Sequence, residues 1–230
     1  MPATRRLPPA ISPAPLRRPR RAAPLPVVQP RALATQDALL AAGRRLLRDR
    51  TLDALSVADI AAESGMSVGS FYGRFRDKES YFAVLQERAN AEWLDEGRAM
   101  LHRRRRGPPR AAALLREICA AYVGIFRRER GFVLAALRHA SNHPGSWTPF
   151  RSAGQAFVAE TTGVLEPLLG HLPPAQRAPR LRFAMQLMFA TGINAVLNDP
   201  GPIRLEDRRL ELELARALCA YLEVPWTTAS

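Results

Sequence analysis

The sequence predicts an all-α protein, with a small N-terminal helical domain followed by a larger C-terminal one. Apolar residues recur at helical spacings of three and four along most of the 230-residue chain, and no convincing β-strand alternation occurs. Prolines and glycines interrupt this pattern at 107–109, 142–149 and 173–174. We therefore expect a first domain over residues 32–82, a second over 83–224, and a short tail at 225–230.

Residues 1–31 differ in composition from the rest of the chain. They contain nine prolines and seven arginines, and the first acidic residue of the protein is Asp37. Proline at this density breaks helices and sheets, so we expect a disordered basic arm. Three roles stay open for this arm: contact with DNA, targeting, or no particular role. It lacks the apolar run of a secretory signal.

The overall charge favours polyanionic partners. The formal net charge is +13, and basic side chains bind nucleic acid by neutralising phosphates and releasing counterions. Without the seven arginines of the arm, the net charge would be +6. The charge alone is therefore a weak indication of function.

The first helix is expected over residues 34–49. Leu39 and Leu47 lie on its apolar face, whereas Arg44 and Arg45 are expected on the opposite, polar side. This helix would pack inward and keep its charges in solvent.

Residues 56–79 predict two short helices joined by a tight turn. Ser56 and Asp59 have the spacing of a capping box, which opens the first helix. Gly65 can adopt the left-handed conformation that ends this helix without steric penalty. Ser67 then caps the second helix.

The second of these helices has one apolar stripe, formed by Phe71 and Phe75. Its opposite face is expected to point outward and can lie in a DNA groove. That face carries Val68, Ser70, Tyr72, Gly73 and Arg74. The arrangement fits a helix-turn-helix, in which the second helix enters the major groove.

Residues 35–82 also resemble the N-terminal domain of TetR-type transcriptional regulators. The matching positions, at the fixed offsets of the family pattern, are Ser56-Val57, Ile60-Ala61, Ser64-Gly65-Met66-Ser67, Gly69, Phe71-Tyr72, Phe75 and Lys78-Glu79. The resemblance implies a sequence-specific DNA-binding regulator. In its usual form, a small apolar ligand releases a homodimeric repressor from a palindromic operator.

Four residues are candidates for contacting DNA on chemical grounds. Ser56 and Ser67 lie at predicted helix N-termini, where a hydroxyl and free backbone amides can bind phosphate. Ser70 and Arg74 are candidates for base edges, since arginine can bind guanine through two hydrogen bonds. We expect Arg74→Ala to relax sequence preference.

The resemblance adds four further positions. It implies backbone contact by Tyr72 and phosphate contact by Lys78, both expected to be exposed, so that Lys78→Ala weakens all sequences alike. Val68 and Gly73 depart from the family, which often has a basic residue at the first position and a larger polar one at the second. They leave fewer direct base contacts, and Val68 can touch only an apolar group such as a thymine methyl.

Later helices follow the same apolar periodicity. Asp77 can cap a helix that continues towards Trp93 and links the two domains. A hinge or loop is expected at 102–110, where four arginines precede a glycine and two prolines; it is either solvated or in contact with flanking DNA or an acidic partner. Further helices are predicted over 111–128, 132–140, 150–169, 180–198 and 205–222.

The last two helices favour a homodimer. Apolar residues surround the helix over 180–198, and Leu210, Leu214 and Leu218 repeat along the next one, so the pair can dock on a second copy as the resembled family does. The resemblance also implies a small apolar effector among the C-terminal helices. Aromatic and methionine candidates for lining its site are Phe126, Phe132, Trp147, Phe157, Met185, Met188 and Phe189.

Catalytic and metal sites are poorly supported. His139 and His143 are four residues apart, but a helix is expected to end there and no further ligand follows at metal spacing. Cys119 and Cys219 lack CxxC spacing and are expected to be buried, reduced thiols. We expect no enzyme activity, cofactor, metal or membrane association, and a bacterial cytoplasmic location at the nucleoid when the protein is DNA-bound.

Two other functions stay open at this point. The same fold can act as a ligand-independent DNA binder or as an activator. The chain can also be a helical adaptor or enzyme without DNA binding, for which Val68 and Gly73 are the hints.

Overall fold

A computed structural model describes residues 30–103, 110–199 and 201–226. This part of the chain folds into nine α-helices and contains no strand. The helices are α1 (Pro30–Leu46), α2 (Val57–Ser64), α3 (Val68–Tyr72), α4 (Lys78–His102), α5 (Ala111–Arg128), α6 (Arg130–Asn142), α7 (Thr148–Leu165), α8 (Pro174–Leu197) and α9 (Arg209–Tyr221). Among the described helices, none is long and apolar enough to cross a bilayer.

Two apolar cores organise the molecule. The N-terminal core is formed by α1, α2, α3 and the first turns of α4, with Leu39, Ile60, Phe71 and Tyr81 fully or almost fully buried. The C-terminal core joins the end of α4 to α5, α6, α8 and α9. At 25 residues, α4 spans about 37 Å at 1.5 Å per residue and contributes to both cores.

The two cores meet at α6. Phe132, Ala135 and Ala136 of α6 are buried in the N-terminal core, whereas Val133 of the same helix belongs to the C-terminal core. At the start of α6, a Cβ on Gly131 would lie 2.2 Å from the carbonyl oxygen of Leu47. The backbones of α6 and the end of α1 are therefore in direct contact, which only glycine permits at this position.

Three helices begin earlier than predicted because proline was given too much weight as a helix breaker. α1 begins at Pro30, α7 at Thr148 with Pro149 as its second residue, and α8 at Pro174. Proline is well accommodated in a first helical turn, where the missing N–H has no intrahelical partner. Of the predicted arm, residues 1–29 lie outside the described part of the chain, as do 104–109 of the predicted loop.

Other predicted elements agree with the structure or differ only at their ends. α5 has the predicted limits, and α9 begins at Arg209 instead of residue 205. Cys119 and Cys219 are free and buried, as expected. Burial raises the pKa of the Cys119 thiol to about 12, so this thiol is unreactive at neutral pH.

Candidate functional site

The helix-turn-helix begins with a complete capping box. The Ser56 hydroxyl accepts a hydrogen bond from the Asp59 backbone N–H at 3.0 Å and donates to Asp59 Oδ2 at 2.7 Å. The backbone N–H of Ser56 donates to the same carboxylate at 2.9 Å, and these bonds lower the pKa of Asp59. A negative charge therefore lies at the start of α2, which disfavours the predicted phosphate contact by Ser56.

The turn between the two helices has the predicted conformation. Gly65 is left-handed, with φ 69° and ψ 20°, and its N–H donates to the Ala62 carbonyl oxygen at 3.1 Å. The N–H of Met66 donates to Ala61 O at 2.9 Å, and the Met66 side chain packs against the N-terminal core. This turn fixes the angle at which α3 leaves α2.

The side chains of α3 divide between a buried and an exposed face. Phe71 is fully buried, whereas Tyr72 is 54% exposed and Val68 43% exposed. At the start of α3, Ser67 accepts a hydrogen bond from the Ser70 N–H at 3.1 Å, and the two hydroxyls lie 2.9 Å apart. A short surface of serine hydroxyls, one aliphatic side chain and one tyrosine is thus presented to solvent.

Gly73 and Arg74 follow α3 instead of lying on it. The prediction placed both on the outward face of the helix, but α3 ends at Tyr72 and Gly73 is its C-cap. The Arg74 side chain is half-buried and folds back, with Nη1 donating to Gly73 O at 3.1 Å. Its Nε is buried and has no hydrogen-bond partner among the residues that the structure describes. In this rotamer, part of the Arg74 guanidinium is therefore bound to the backbone of its own chain.

Lys78 is not the freely exposed side chain that we expected. Its ammonium group donates to the carbonyl oxygens of Leu52 and Leu55, both at 3.0 Å, with that of Asp53 at 3.5 Å. An ammonium has three N–H donors, and these contacts use all of them. The lysine therefore holds the segment between α1 and α2 against the start of α4.

We expect Lys78→Met to destabilise the folded protein by about 1–2 kcal/mol, because it leaves backbone carbonyls without their charged donor. Thermal unfolding measures this loss, which corresponds to a decrease of roughly 2–8 °C in Tm for a chain of this size. Arg76→Met is the matched control, since Arg76 is exposed and pairs, among the described residues, only with the adjacent Asp77. An unchanged Tm together with weaker DNA binding would show that Lys78 is free to bind phosphate.

A large cavity lies in the C-terminal domain among α4, α5, α7 and α8. Its volume is about 1090 Å³ and its walls are mainly apolar. Four of the seven residues predicted to line a ligand site do line it, namely Phe126, Trp147, Phe157 and Phe189. The other three were wrongly placed, because Phe132, Met185 and Met188 are buried in the cores and do not line the cavity.

Three aromatic residues connect this cavity to the N-terminal core, and two of them, Trp93 and Phe150, were not among the predicted lining residues. Trp93, Trp147 and Phe150 line the cavity and also pack against the core of the helix-turn-helix. The rings of Trp147 and Phe150 stack with centroids 4.3 Å apart, and Trp93 lies edge-on to Phe150 at 5.8 Å. A molecule in the cavity would thus touch side chains that support the DNA-reading unit.

Arg44 forms a polar connection between the same two parts. It was predicted on the solvent side of α1, but its Nε and Nη2 donate to Glu129 at 3.0 and 2.7 Å, and its Nη1 donates to Glu92 at 2.5 Å. Its position four residues after Leu40 and three before Leu47, both buried, could have indicated an inward orientation. Arg44 thus links α1 to α4 and to the start of α6.

The outer face of α8 carries an apolar stripe that is exposed along its length. Phe183, Leu187 and Leu197 are 44%, 37% and 46% exposed, and the exposed Ala190 lies between them at helical spacing, whereas the polar Asn194 interrupts the stripe before Leu197. The ring of Phe183 also contacts Tyr221 of α9, with centroids 5.5 Å apart. The prediction that this helix is buried on more than one side therefore requires a partner molecule.

His139 and His143 stack against each other, with ring centroids 4.4 Å apart. His139 also lies edge-on to Phe82 at 5.3 Å, so it packs against the N-terminal core. Within the described ranges, no three histidine, cysteine or acidic side chains gather as a metal site would require. His139 thus contributes to packing at the edge of this core.

Together, a capped helix-turn-helix with an exposed second helix and a cavity-bearing helical domain define the class of two-domain transcriptional regulators. Residues 39–85 match the family described as bacterial regulatory proteins, tetR family, and residues 108–222 match the tetracyclin repressor-like C-terminal domain. The chain belongs to the tetR family. It is therefore a DNA-binding transcriptional regulator, and this family is not one of enzymes.

Solved structures have the same fold over most of the chain. A tetR-family transcriptional regulator from Streptomyces coelicolor is 22% identical, with 83% of this chain and 81% of that one covered at a TM-score of 0.64. A putative tetR-family regulator from Mesorhizobium loti is 16% identical, with coverages of 85% and 96% and a TM-score of 0.66. GusR from Salmonella enterica is 18% identical, with coverages of 86% and 98% and a TM-score of 0.59.

Proposed function

We propose that this regulator is a homodimeric repressor, released from a palindromic operator when a small ligand enters the cavity of the C-terminal domain. The observation that carries the proposal is the wall shared by the cavity and the helix-turn-helix, formed by Trp93, Trp147 and Phe150. A ligand that displaces these rings changes the support beneath α1 and α4. The protein would act in the bacterial cytoplasm, at the nucleoid while DNA-bound.

The DNA contacts that we propose centre on α3. Ser67 and Val68 at the start of the helix and Tyr72 at its end are exposed, and so is Gly69 between them. Ser70 is half-buried and its hydroxyl is shared with Ser67. Ser56, Gly73, Arg74 and Lys78 flank this surface, and we propose that Arg74 reads a base after leaving Gly73 O. Lys78 then supports the DNA-binding surface indirectly, by holding the segment between α1 and α2 against the start of α4.

The exposed stripe of α8 supports dimerisation. An unpartnered row of large apolar side chains on a helix favours association, because its burial removes apolar surface from water. A two-fold dimer places two copies of α3 on one duplex, with half-sites separated by a multiple of roughly 34–36 Å. We propose that a second copy of the chain covers Phe183, Leu187 and Leu197.

Ligand control needs two arrangements of the same dimer. A ligand can shift the population only by the difference in its affinity for the DNA-binding and released forms. The shared aromatic wall gives this difference a physical basis, since the position of Trp93 on α4 affects both the cavity and the N-terminal core. The released form would be the one in which the two α3 helices no longer fit successive major grooves.

Binding of the purified dimer to its own upstream promoter tests the proposal. Fluorescence anisotropy gives Kd for this duplex and for a scrambled duplex, at one fixed salt concentration, with and without apolar ligands. We expect a ligand to weaken promoter binding in the wild-type protein. An affinity that no ligand changes would instead favour a ligand-independent DNA binder, and equal affinity for both duplexes would contradict sequence-specific regulation.

We expect Arg74→Ala to weaken binding to the promoter by about 5- to 150-fold, because a base contact through two hydrogen bonds contributes about 1–3 kcal/mol. Binding to the scrambled duplex should change little, because base contacts carry the specificity. Arg204→Ala is the matched control, since Arg204 is exposed and lies outside the helix-turn-helix. An equal loss on both duplexes would show that Arg74 contacts the DNA backbone instead.

A further inference from the structure

The mouth of the cavity lies between α7 and α8. Most lining residues are buried or half-buried, and the exposed ones all lie on these two helices. They are Arg151, Gln155 and Ala159 on α7, and Arg182 and Gln186 on α8. Within each helix these residues are four apart and so lie on one face. The opening is therefore bordered by two helix edges, and on each edge an arginine lies one turn before a glutamine.

The charge at this opening has one sign. The lining contains Arg151 and Arg182 but no aspartate, glutamate, lysine or histidine. Neither arginine forms an ion pair with an acid among the described residues, whereas the nearby Glu160 of α7 is already bound to Arg98 at 2.5 Å. An anion at the mouth would thus meet two uncompensated guanidinium groups, and a cation would be repelled.

The wall of the cavity contains one buried hydrogen-bond donor that is unpaired among the described residues. The indole N–H of Trp93 has no hydrogen-bond partner, although its nitrogen is buried. The hydroxyls of Tyr122 and Thr162 are engaged, donating to Phe189 O at 3.1 Å and to Val158 O at 2.7 Å. A ligand that carries acceptor atoms therefore satisfies a group that a pure hydrocarbon leaves unpaired.

We propose that the cavity binds an anionic amphipathic ligand, with an apolar or aromatic body inside and an acidic group at the mouth, held by Arg151 and Arg182. The inference rests on the proposed function, because the same cavity is the effector site. It adds the charge of the effector, which the apolar walls alone do not specify. Carboxylates and sulfonates share the required chemistry, since both accept hydrogen bonds from guanidinium groups.

Two fluorescent probes with the same ring system test the charge. 1-Anilinonaphthalene-8-sulfonate carries one negative charge, and N-phenyl-1-naphthylamine lacks the sulfonate. Both become fluorescent in apolar surroundings, and energy transfer from Trp93 and Trp147, measured in a Trp226→Phe background, reports binding close to the cavity. We expect the wild-type dimer to bind the sulfonate at least about fivefold more tightly than the neutral probe.

Charge-removing variants assign this preference to the mouth. Arg151→Gln and Arg182→Gln should each weaken sulfonate binding by about fivefold, with the effects of the two combining in the double variant. Binding of the neutral probe should stay within about twofold. Arg204→Gln removes the same charge away from the cavity and should leave both probes unchanged.

A cavity-filling variant identifies where the probes bind. A Cβ at position 154 would lie 3.6 Å from the ring of Phe189, which is an ordinary contact, so Gly154→Leu should fold and fill the space. It should weaken both probes by about tenfold or more. Equal affinity of the wild type for the two probes would overturn the charge assignment and leave the effector cavity standing. Failure of both probes to bind, or their insensitivity to Gly154→Leu, would overturn the cavity itself as the effector site.

Discussion

Phe71→Ala is expected to lower the free energy of unfolding of the helix-turn-helix by about 3–5 kcal/mol, the cost of removing a large aromatic side chain from a closed core. Phe71 is fully buried, and its ring lies 5.3 Å from that of Phe75 and 5.2 Å from that of Tyr81. These contacts hold α3 against α4. Circular dichroism during urea denaturation measures the loss, and amide hydrogen exchange locates it in α2 and α3.

Tyr72→Ala provides the control, because it alters the neighbouring aromatic residue on the opposite face. Tyr72 is 54% exposed and touches Phe71 only edge-on, at 5.5 Å between ring centroids. Its removal should cost about 0.5–1.5 kcal/mol of stability but weaken DNA binding of the folded protein. Similar stability losses for the two variants would contradict the assignment of one face to the core and the other to DNA.

The local features of the DNA-reading unit could be predicted because each depends on a few neighbouring residues. Ser56, Gly65, Ser67 and Asp77 all cap helices as expected, since a cap is formed within about four residues of the helix end. The end of α3 was placed too late. The hydrogen bond from Phe75 N to Phe71 O continues the helical pattern beyond Tyr72, so the apolar spacing alone did not mark the end.

Contacts between residues far apart in the chain could not be predicted from local sequence patterns. Lys78 binds backbone oxygens 23 to 26 residues away, and no local pattern distinguishes this from a surface lysine. Periodicity also shows that a helix has an apolar face without showing what covers it. Met185, Met188 and Phe189 all fit the periodicity of α8 equally well, although only Phe189 of the three lines the cavity.

Breaking the polar contact between the two domains is also expected to cause a large loss of stability. Arg44 binds Glu129, whose side chain is only 9% exposed, and Glu92, which is 39% exposed. Arg44→Met would leave the Glu129 carboxylate with only a 3.3 Å contact from Arg128. We expect a loss of about 2–3 kcal/mol, less than the roughly 3–5 kcal/mol of a fully buried pair because solvent reaches part of the cluster.

Arg45→Met is the matched control for this experiment. Arg45 is the next residue on α1, but it pairs with Glu63 at the surface, where both side chains are more than a third exposed. The same substitution there should change stability by less than about 0.5–1 kcal/mol. Adding Glu129→Met to Arg44→Met should recover part of the loss, since no buried charge is then left alone.

The pH dependence of the free energy of unfolding below neutrality tests the contribution of Arg44 independently. Burial raises the pKa of Glu92, but the hydrogen bonds from Arg44 and Arg88 outweigh it, so the pKa lies below its ordinary value of 4.5. A lowered folded-state pKa contributes stability that is present above about pH 4.5 and is lost as the pH falls through the folded value. The difference in stability between wild type and Arg44→Met should therefore shrink on acidification.

The functional consequence of Arg44→Met follows from the position of its partners. Glu129 precedes α6, whose Gly131 touches the backbone at the end of α1, and Glu92 adjoins Trp93 in the wall of the cavity. Loss of Arg44 removes the polar connection between these points while the aromatic wall remains. We therefore expect the variant dimer to bind its promoter but to respond less to ligand, seen as a smaller ratio of Kd with and without ligand. An unchanged ratio would assign the coupling to the aromatic wall alone.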